Sequence, residues 1–371
     1  MESEVYPMEG KKRGPLSRVL KWLGIFLLIL FCALAALILF LSVTEYRPED
    51  RETLGIAGDA SAPLHEGDSV TVLTWNMGYG ALGDNADFFM DGGTMVETAD
   101  ENRVQTNLEG MIAQIKAVSP DLLLLQEVDV NSARSHHINE TELLRSALPG
   151  YQSTFANNFK VAFLPYPVPP IGKVDSGIMA FSRYPITSAE RVQLPIPFSW
   201  PMRMANLKRC LNICRIPLEG SDRELVLIDL HLEAYDDGEG KAAQTEMLRQ
   251  ILASEAASGN YVIAGGDFNQ IFSSADTAAY PAQEGKWAAG EIDVTAFDPG
   301  WQFLMDATVP SCRSLDQPYD GADREGFQYY LIDGFIVSEN VTVQSLENLD
   351  LDFVCSDHNP VLMQVLLGSG K

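Results

Sequence analysis

The strongest pattern in the chain is a run without charge at 22–43, WLGIFLLILFCALAALILFLSV. It is apolar all round, whereas a helix lying on a soluble core shows an apolar stripe and a polar face. At 1.5 Å per residue it extends about 33 Å, enough to cross the hydrocarbon core of a bilayer. A cleavable signal peptide has a shorter apolar region ending in small residues of A-x-A type. The run here closes on Leu41, Ser42, Val43 and Thr44, a poor cleavage site, so an uncleaved signal anchor is expected. Lys11, Lys12, Arg13, Arg18 and Lys21 precede it. Positive charge stays on the cytoplasmic side. That places 1–21 inside, 22–43 in the membrane and the remainder outside the cytoplasm. Residues 44–68 are polar, carry Gly, Ala, Ser and Pro, and read as a tether.

From position 69 the pattern shifts between strand and helix. SVTVLTWN, Ser69–Asn76, is apolar and β-branched on both faces, as a central strand is. The Gly- and Asp-rich stretch 78–98 is a long loop. Thr98 and Glu101 have the spacing of a capping box. Val104, Leu108, Met111, Ile112 and Ile115 then follow one helical face until Ser119 and Pro120 stop it. Leu122 to Leu125 form a short buried strand ending in Gln126 and Glu127. Further strands are expected at 176–181, 225–232, 261–264, 330–337 and 361–367, with helices at 141–148 and 243–255. The stretches 163–173 and 195–204 are rich in proline and aromatics, which excludes regular sheet. Several strand pairs lack a long crossover. The pattern therefore points to mixed sheets with helices outside, in one α/β domain over 69–368.

Composition agrees with a folded domain, at 46% apolar and 21% charged residues. The net charge of −25 is unevenly spread. Up to Val43 basic residues outnumber acidic ones, so the rest is more acidic than the total shows. Binding to duplex nucleic acid draws its affinity from Lys and Arg on phosphates, and this domain is poorly suited to it. An acidic surface suits an exported protein and attracts divalent cations. Cys32 lies in the span. Cys210, Cys214, Cys312 and Cys355 lie beyond it, an even number that permits disulfides. If Cys210 and Cys214 share a strand they sit about 13 Å apart and cannot bridge each other.

Polar residues recur where apolar strands end. Asn76 closes VTVLTWN, Glu127 closes LLLLQE, and Asp267 and Asn269 follow YVIAGG. Ligands of α/β sheets gather at such ends, and carboxylates there suit a hard cation. Asp333 interrupts the apolar YLIDGFIV, where an unpaired carboxylate is costly, so a histidine partner is expected. His358 sits in CSDHNPV. Strand alternation puts Asp229, His231 and Glu233 on one face. His136 and His137 read as surface-loop residues.

Taken in order, Trp75-Asn76, Gln126-Glu127, His231-Leu232, Gly266-Asp267-Phe268-Asn269, Asp333-Gly334 and Ser356-Asp357-His358 closely resemble the endonuclease/exonuclease/phosphatase superfamily. The resemblance covers roughly 70–366, and SGIMAFSRYPI at 176–186 is similar to the strand before that family's specificity loops. It implies a four-layer α/β sandwich, two mixed sheets face to face flanked by helices. It also implies Mg2+, with Mn2+ or Ca2+ as alternatives, held by Glu127 with Asn76 beside it and Asp357 nearby. Asp267 would orient or deprotonate the attacking water. Asn269 and His231 would hold the phosphate. His358 would act on the phosphoryl group, with Asp333 fixing its ring.

The reading that follows is a metal-dependent phosphoester hydrolase acting outside the cytoplasm on a lipid headgroup or small phosphoester. An extracellular nuclease and a non-catalytic binding module of the same fold are the alternatives. The oligomeric state is not legible.

Overall fold

The computed structural model describes residues 14–236 and 238–368. It divides into two units, Met1–Glu45 and Tyr46–Lys371. In the first, Pro15–Thr44 is one helix, long and apolar enough to cross a membrane. Pro15 suits its first turn, where no amide donor is needed. Such a helix is compatible with a single-pass anchor or a signal sequence. Residues 1–13, most of the segment expected in the cytoplasm, lie outside the described residues.

The second unit is built on two seven-stranded mixed sheets. The first runs Val341–Asn348, Val361–Leu367, Ser69–Asn76, Leu122–Asp129, Gly172–Ser182, Gln152–Leu164, Ala57–Gly58. The second runs Arg51–Thr53, Ser188–Gln193, Cys210–Pro217, Glu224–His231, Tyr261–Asp267, Asp333–Val337, Gln302–Leu304. Each has a parallel pair near its centre, Ser69–Asn76 with Leu122–Asp129 and Glu224–His231 with Tyr261–Asp267. A parallel pair needs a crossover, which Glu101–Val118 and Glu239–Ala257 supply.

Strand alternation explains the four layers. Val72, Leu122 and Leu124 face inward against Leu225, Leu227, Ile263 and Phe335 of the other sheet. Leu73, Leu123 and Leu125 face outward onto Val104, Leu108, Met111 and Ile115 of Glu101–Val118. Leu248 and Leu252 of Glu239–Ala257 cover Val226, Ile228, Val262 and Ala264. This is the sandwich expected from the sequence.

Three details differ. Asp100, not Thr98, caps Glu101–Val118, accepting from Arg103 N at 2.8 Å. Glu101 is itself the first helical residue, so the cap falls immediately before it. Part of the expected tether is built into the sheets: Arg51–Thr53 pairs with Ser188–Gln193, and Ala57–Gly58 with Gln152–Leu164. An open sheet edge presents unpaired backbone groups that any extended segment can satisfy, so these strands need no apolar alternation. The cysteines are free thiols, with Cys210 and Cys214 together on Cys210–Pro217.

Candidate active site

The strands that end in polar residues bring those ends together from both sheets. In the second sheet, Asp267 is in register with His231 on one side and Asp333 on the other. Directly paired residues share a face, so three titratable side chains stand in a row. Gly266 makes the row feasible. Its φ is +146°, and a Cβ there would fall 2.0 Å from Leu230 O. From the first sheet, Asn76 reaches across and donates to Asp267 Oδ2 at 3.0 Å.

Asp267 is the hub. Its Oδ1 accepts from Asn269 N at 2.9 Å. Its Oδ2 lies 3.3 Å from His231 Nε2 and 3.8 Å from His358 Nε2. Asp333 Oδ2 holds His358 Nδ1 at 2.8 Å, the partnership expected from a carboxylate in an apolar strand. The backbone around His358 is clamped as well: Trp75 Nε1 donates to His358 O at 2.9 Å, and Ser356 Oγ to Asn76 O at 2.8 Å.

The cation side is assembled differently. Glu127 has φ +54° within an irregularity between Leu125 and Val128. A bulge re-aims a side chain, here toward Asn76, whose Nδ2 lies 3.4 Å from Glu127 Oε1. Asp357 Oδ2 is 3.9 Å from His358 Nε2. Asn269 has φ +51°, and its Nδ2 donates to Leu232 O at 2.9 Å. That amide carries a second N–H. Among the described residues, His231 Nδ1 is buried without a partner.

Burial raises the Asp267 carboxyl to about 7, with Asp333 adding to it against His358, Asn269 and Asn76. Asp357 is raised to about 6 by burial, with Glu127 adding and His358 opposing. Burial, the largest single cause, disfavours a charged His358, but Asp333, Cys312 and Asp357 together outweigh it and hold the ring well above the ordinary histidine value. Burial drives His231 well below that value, helped by Arg209 and His358. The two imidazoles are therefore pushed in opposite directions, His358 toward its charged form and His231 toward its neutral one.

A divalent cation fits this donor set. Among the described residues no Lys or Arg forms an ion pair with Glu127 or Asp357, and Glu127 makes Asp357 harder to ionise. Crowded oxygen donors suit a hard cation. Cys312, Asp357 and His358 also offer ligand atoms within 4.8 Å of one another, as do Asp267, Asp333 and His358. Burial pushes the Cys312 thiol to about 12, and a protonated thiol is a poor ligand.

Three features carry no strong sequence signal. Gln126 Nε2 donates to Asp229 Oδ1 at 2.7 Å, tying the sheets together beneath the site. Arg134 binds Asp129 at 2.9 and 3.1 Å and lies 3.7 Å over the Tyr79 ring. Tyr235 Oη donates to Asp91 Oδ1 at 2.9 Å. His136 bonds Ala99 O through Nε2 at 2.8 Å, and His137 is bonded to Asn131.

The endonuclease/exonuclease/phosphatase of Beutenbergia cavernae DSM 12333 shares the fold with TM-score 0.53 and 20% identity, covering 81% of this chain and 72% of that one. The one from Bacteroides vulgatus gives 0.53 and 16%, covering 81% and 99%. The human Nocturnin catalytic domain with bound sulfate anion gives 0.49 and 16%, covering 84% and 96%. No curated protein matches by sequence. The model of the Endonuclease/Exonuclease/phosphatase family, whose members include phosphodiesterases, nucleases and phosphatases that depend on divalent metals, matches residues 73–358. That span takes in every site residue from Asn76 to His358, and the chain belongs to the Endonuclease/Exonuclease/phosphatase family.

Proposed function

We propose that this chain is a magnesium-dependent phosphoester hydrolase, anchored by residues 22–43 with 1–21 in the cytoplasm and the catalytic domain outside. Its substrate is a lipid headgroup or another small phosphoester. The observation that carries this reading is the meeting of Asn76, His231, Asp267, Asp333 and His358 through direct side-chain contacts, with Glu127 and Asp357 beside them.

Asp267 takes the proton of the attacking water. A carboxyl near 7 is both ionised and basic at neutral pH. Asn76 and Asn269 donate to its two oxygens and fix its plane. His358, charged and oriented by Asp333, stabilises negative charge developing on the phosphoryl oxygens. Neutral His231 and the second Asn269 N–H hold a non-bridging oxygen. Glu127, Asp357 and Asn76 would hold the cation, which when bound neutralises phosphate charge and steadies the leaving oxygen. Phosphoryl transfer needs positioning and charge neutralisation of this kind and no covalent nucleophile. Support for a surface substrate comes from the apolar helix and from Tyr166 and Trp200, 68% and 57% exposed on the two proline-rich loops.

The test is turnover by the full chain in detergent micelles, with Mg2+ or EDTA. The substrates are bis-p-nitrophenyl phosphate, p-nitrophenyl phosphate, sphingomyelin and plasmid DNA. Mg2+-dependent hydrolysis of at least one small or lipid phosphoester, abolished by EDTA, is expected. Turnover of none of them sinks the reading.

A further inference from the structure

Two loops that leave opposite sheets are joined beside the site. One follows Ser69–Asn76 in the first sheet and carries Asp91. The other follows Glu224–His231 in the second sheet and carries Tyr235. Tyr235 Oη donates to Asp91 Oδ1 at 2.9 Å. The link therefore connects loops that leave the two facing sheets.

Both ends of the link are built in advance. On the Asp91 side, Phe88 N donates to Leu315 O at 2.7 Å, and Asp87 Oδ1 accepts from Thr94 N and Met95 N, each at 2.6 Å. Gly92, with φ +94°, turns the loop against Asp316. On the other side, Glu233 Oε1 accepts from Ala234 N and Tyr235 N at 3.1 and 3.2 Å. Trp287 donates to Ala234 O at 3.1 Å, and its ring lies 6.5 Å from that of Tyr235. Tyr330 Oη donates to Trp287 O at 2.9 Å behind it. A contact between Phe89 and Tyr166, at 5.8 Å, ties in the proline-rich loop at 163–173.

The link lies within electrostatic reach of the two carboxylates assigned to the cation. Burial raises Asp91 to about 6 against the Tyr235 hydrogen bond, and Asp357 and Glu127 are the next charges that add to it. Lys286, the nearby cation, is occupied by Asp316 at 2.9 Å. A continuous polyanion would have to pass this link and its negative charge.

We infer that Asp91 and Tyr235 form a specificity bar that admits phosphoesters on small or terminal groups and excludes the interior of a nucleic-acid strand. The inference rests on the hydrolase reading above and narrows its substrate class. The occupant is a compact phosphoester. The bar is a specificity element and takes no part in the bond-breaking step.

The experiment compares the full chain with Tyr235→Phe and with the double variant Asp91→Ala, Tyr235→Ala. Tyr235→Phe removes the hydroxyl and keeps the ring against Trp287. Turnover is measured on bis-p-nitrophenyl phosphate and on internal cleavage of a labelled single-stranded oligonucleotide. Oligonucleotide binding is read separately by fluorescence anisotropy. The ratio of kcat/KM should shift toward the oligonucleotide by about tenfold in the double variant, the worth of one charge-assisted hydrogen bond. Tyr235→Phe should shift it less, in the same direction, and both variants should bind the oligonucleotide more tightly. Unchanged ratio and binding in both variants, or internal cleavage by the parent chain as fast as hydrolysis of the small diester, overturns the bar. Absence of turnover on the small diester by the parent chain instead sinks the hydrolase reading, while the anisotropy still decides the bar.

Discussion

The two sheets bring different kinds of chemistry to the site. The second sheet supplies His231, Asp267 and Asp333 from three paired strands, in register, with Gly266 allowing the close approach. Its groups are bonded to one another and to His358. The first sheet supplies Asn76, Glu127 and the segment with Asp357. Here the backbone is irregular, with Glu127 at φ +54°; Glu127 lies 3.4 Å from Asn76, and Asp357 lies 3.5 Å from Ser356 Oγ and 3.9 Å from His358. One half pairs its carboxylates with imidazoles. The other gathers oxygen acceptors, and among the described residues Glu127 has no Lys or Arg ion pair. Under the proposed roles, proton chemistry and metal binding should be separable by mutation.

The largest effect is expected on the imidazole-paired half. Asp267→Asn keeps the shape but removes the proton acceptor, and turnover should fall by about a thousandfold. Mg2+ should still bind, read as a rise in melting temperature on adding the ion. A variant within tenfold of the parent would end the assignment of Asp267 as base.

Glu127→Gln breaks the other half. It keeps an oxygen but removes its charge, and activity should fall by about a hundredfold at low Mg2+. Raising Mg2+ should restore part of it, whereas no concentration should restore Asp267→Asn. An Mg2+ titration of both variants checks the contrast, and equal rescue of the two would erase the division between the halves.

The pH profile sharpens the comparison. Asp267 must lose its proton, so activity should rise with pH through about 7. His358 must keep its proton, so activity should fall again at higher pH, as the ring passes a value that Asp333 holds above the ordinary one. Asp333 is also second to burial in raising Asp267. Removing that one charge in Asp333→Asn lowers both values. Both limbs should move to lower pH, and the maximum should fall by about tenfold or more. A shift of one limb alone would show that Asp333 is coupled to only one of its two neighbours.

The sequence carried the second half more fully than the first. Strands that end in His231 and Asp267, and a carboxylate inside an apolar strand at Asp333, are visible because burial imposes a pattern and each residue breaks it. The cost of leaving such a carboxylate alone pointed to a histidine partner, and the family resemblance made that partner His358. The residue types of Asn76 and Glu127 were legible at strand ends, but the positive φ that aims Glu127 was not, since nothing in LLLLQEVD marks an irregularity. Asp91 and Tyr235 were missed because each lies in a loop whose conformation depends on contacts far away in sequence. The edge strands Arg51–Thr53 and Ala57–Gly58 were read as tether because an edge is held by backbone groups, and those are the same in every residue.

The smallest expected effect tests what positions His358 between the halves. Two of the restraints on it come from opposite sheets: the Asp333 carboxylate on its ring, and a backbone clamp in which Trp75 Nε1 donates to His358 O at 2.9 Å. Trp75 is fully buried, so Trp75→Phe leaves that carbonyl without its donor and costs about 1–3 kcal/mol. In a domain of this size each kcal/mol lowers the melting temperature by roughly 2–4 °C, which a thermal melt resolves. The ring bond to Asp333 survives the change, so the two limbs of the pH profile should stay where they are while kcat falls by less than about tenfold. A profile displaced to the same extent as in Asp333→Asn would mean that the clamp from the first sheet holds the ring in register with the second. The two halves would then be one mechanical unit, despite their different chemistry.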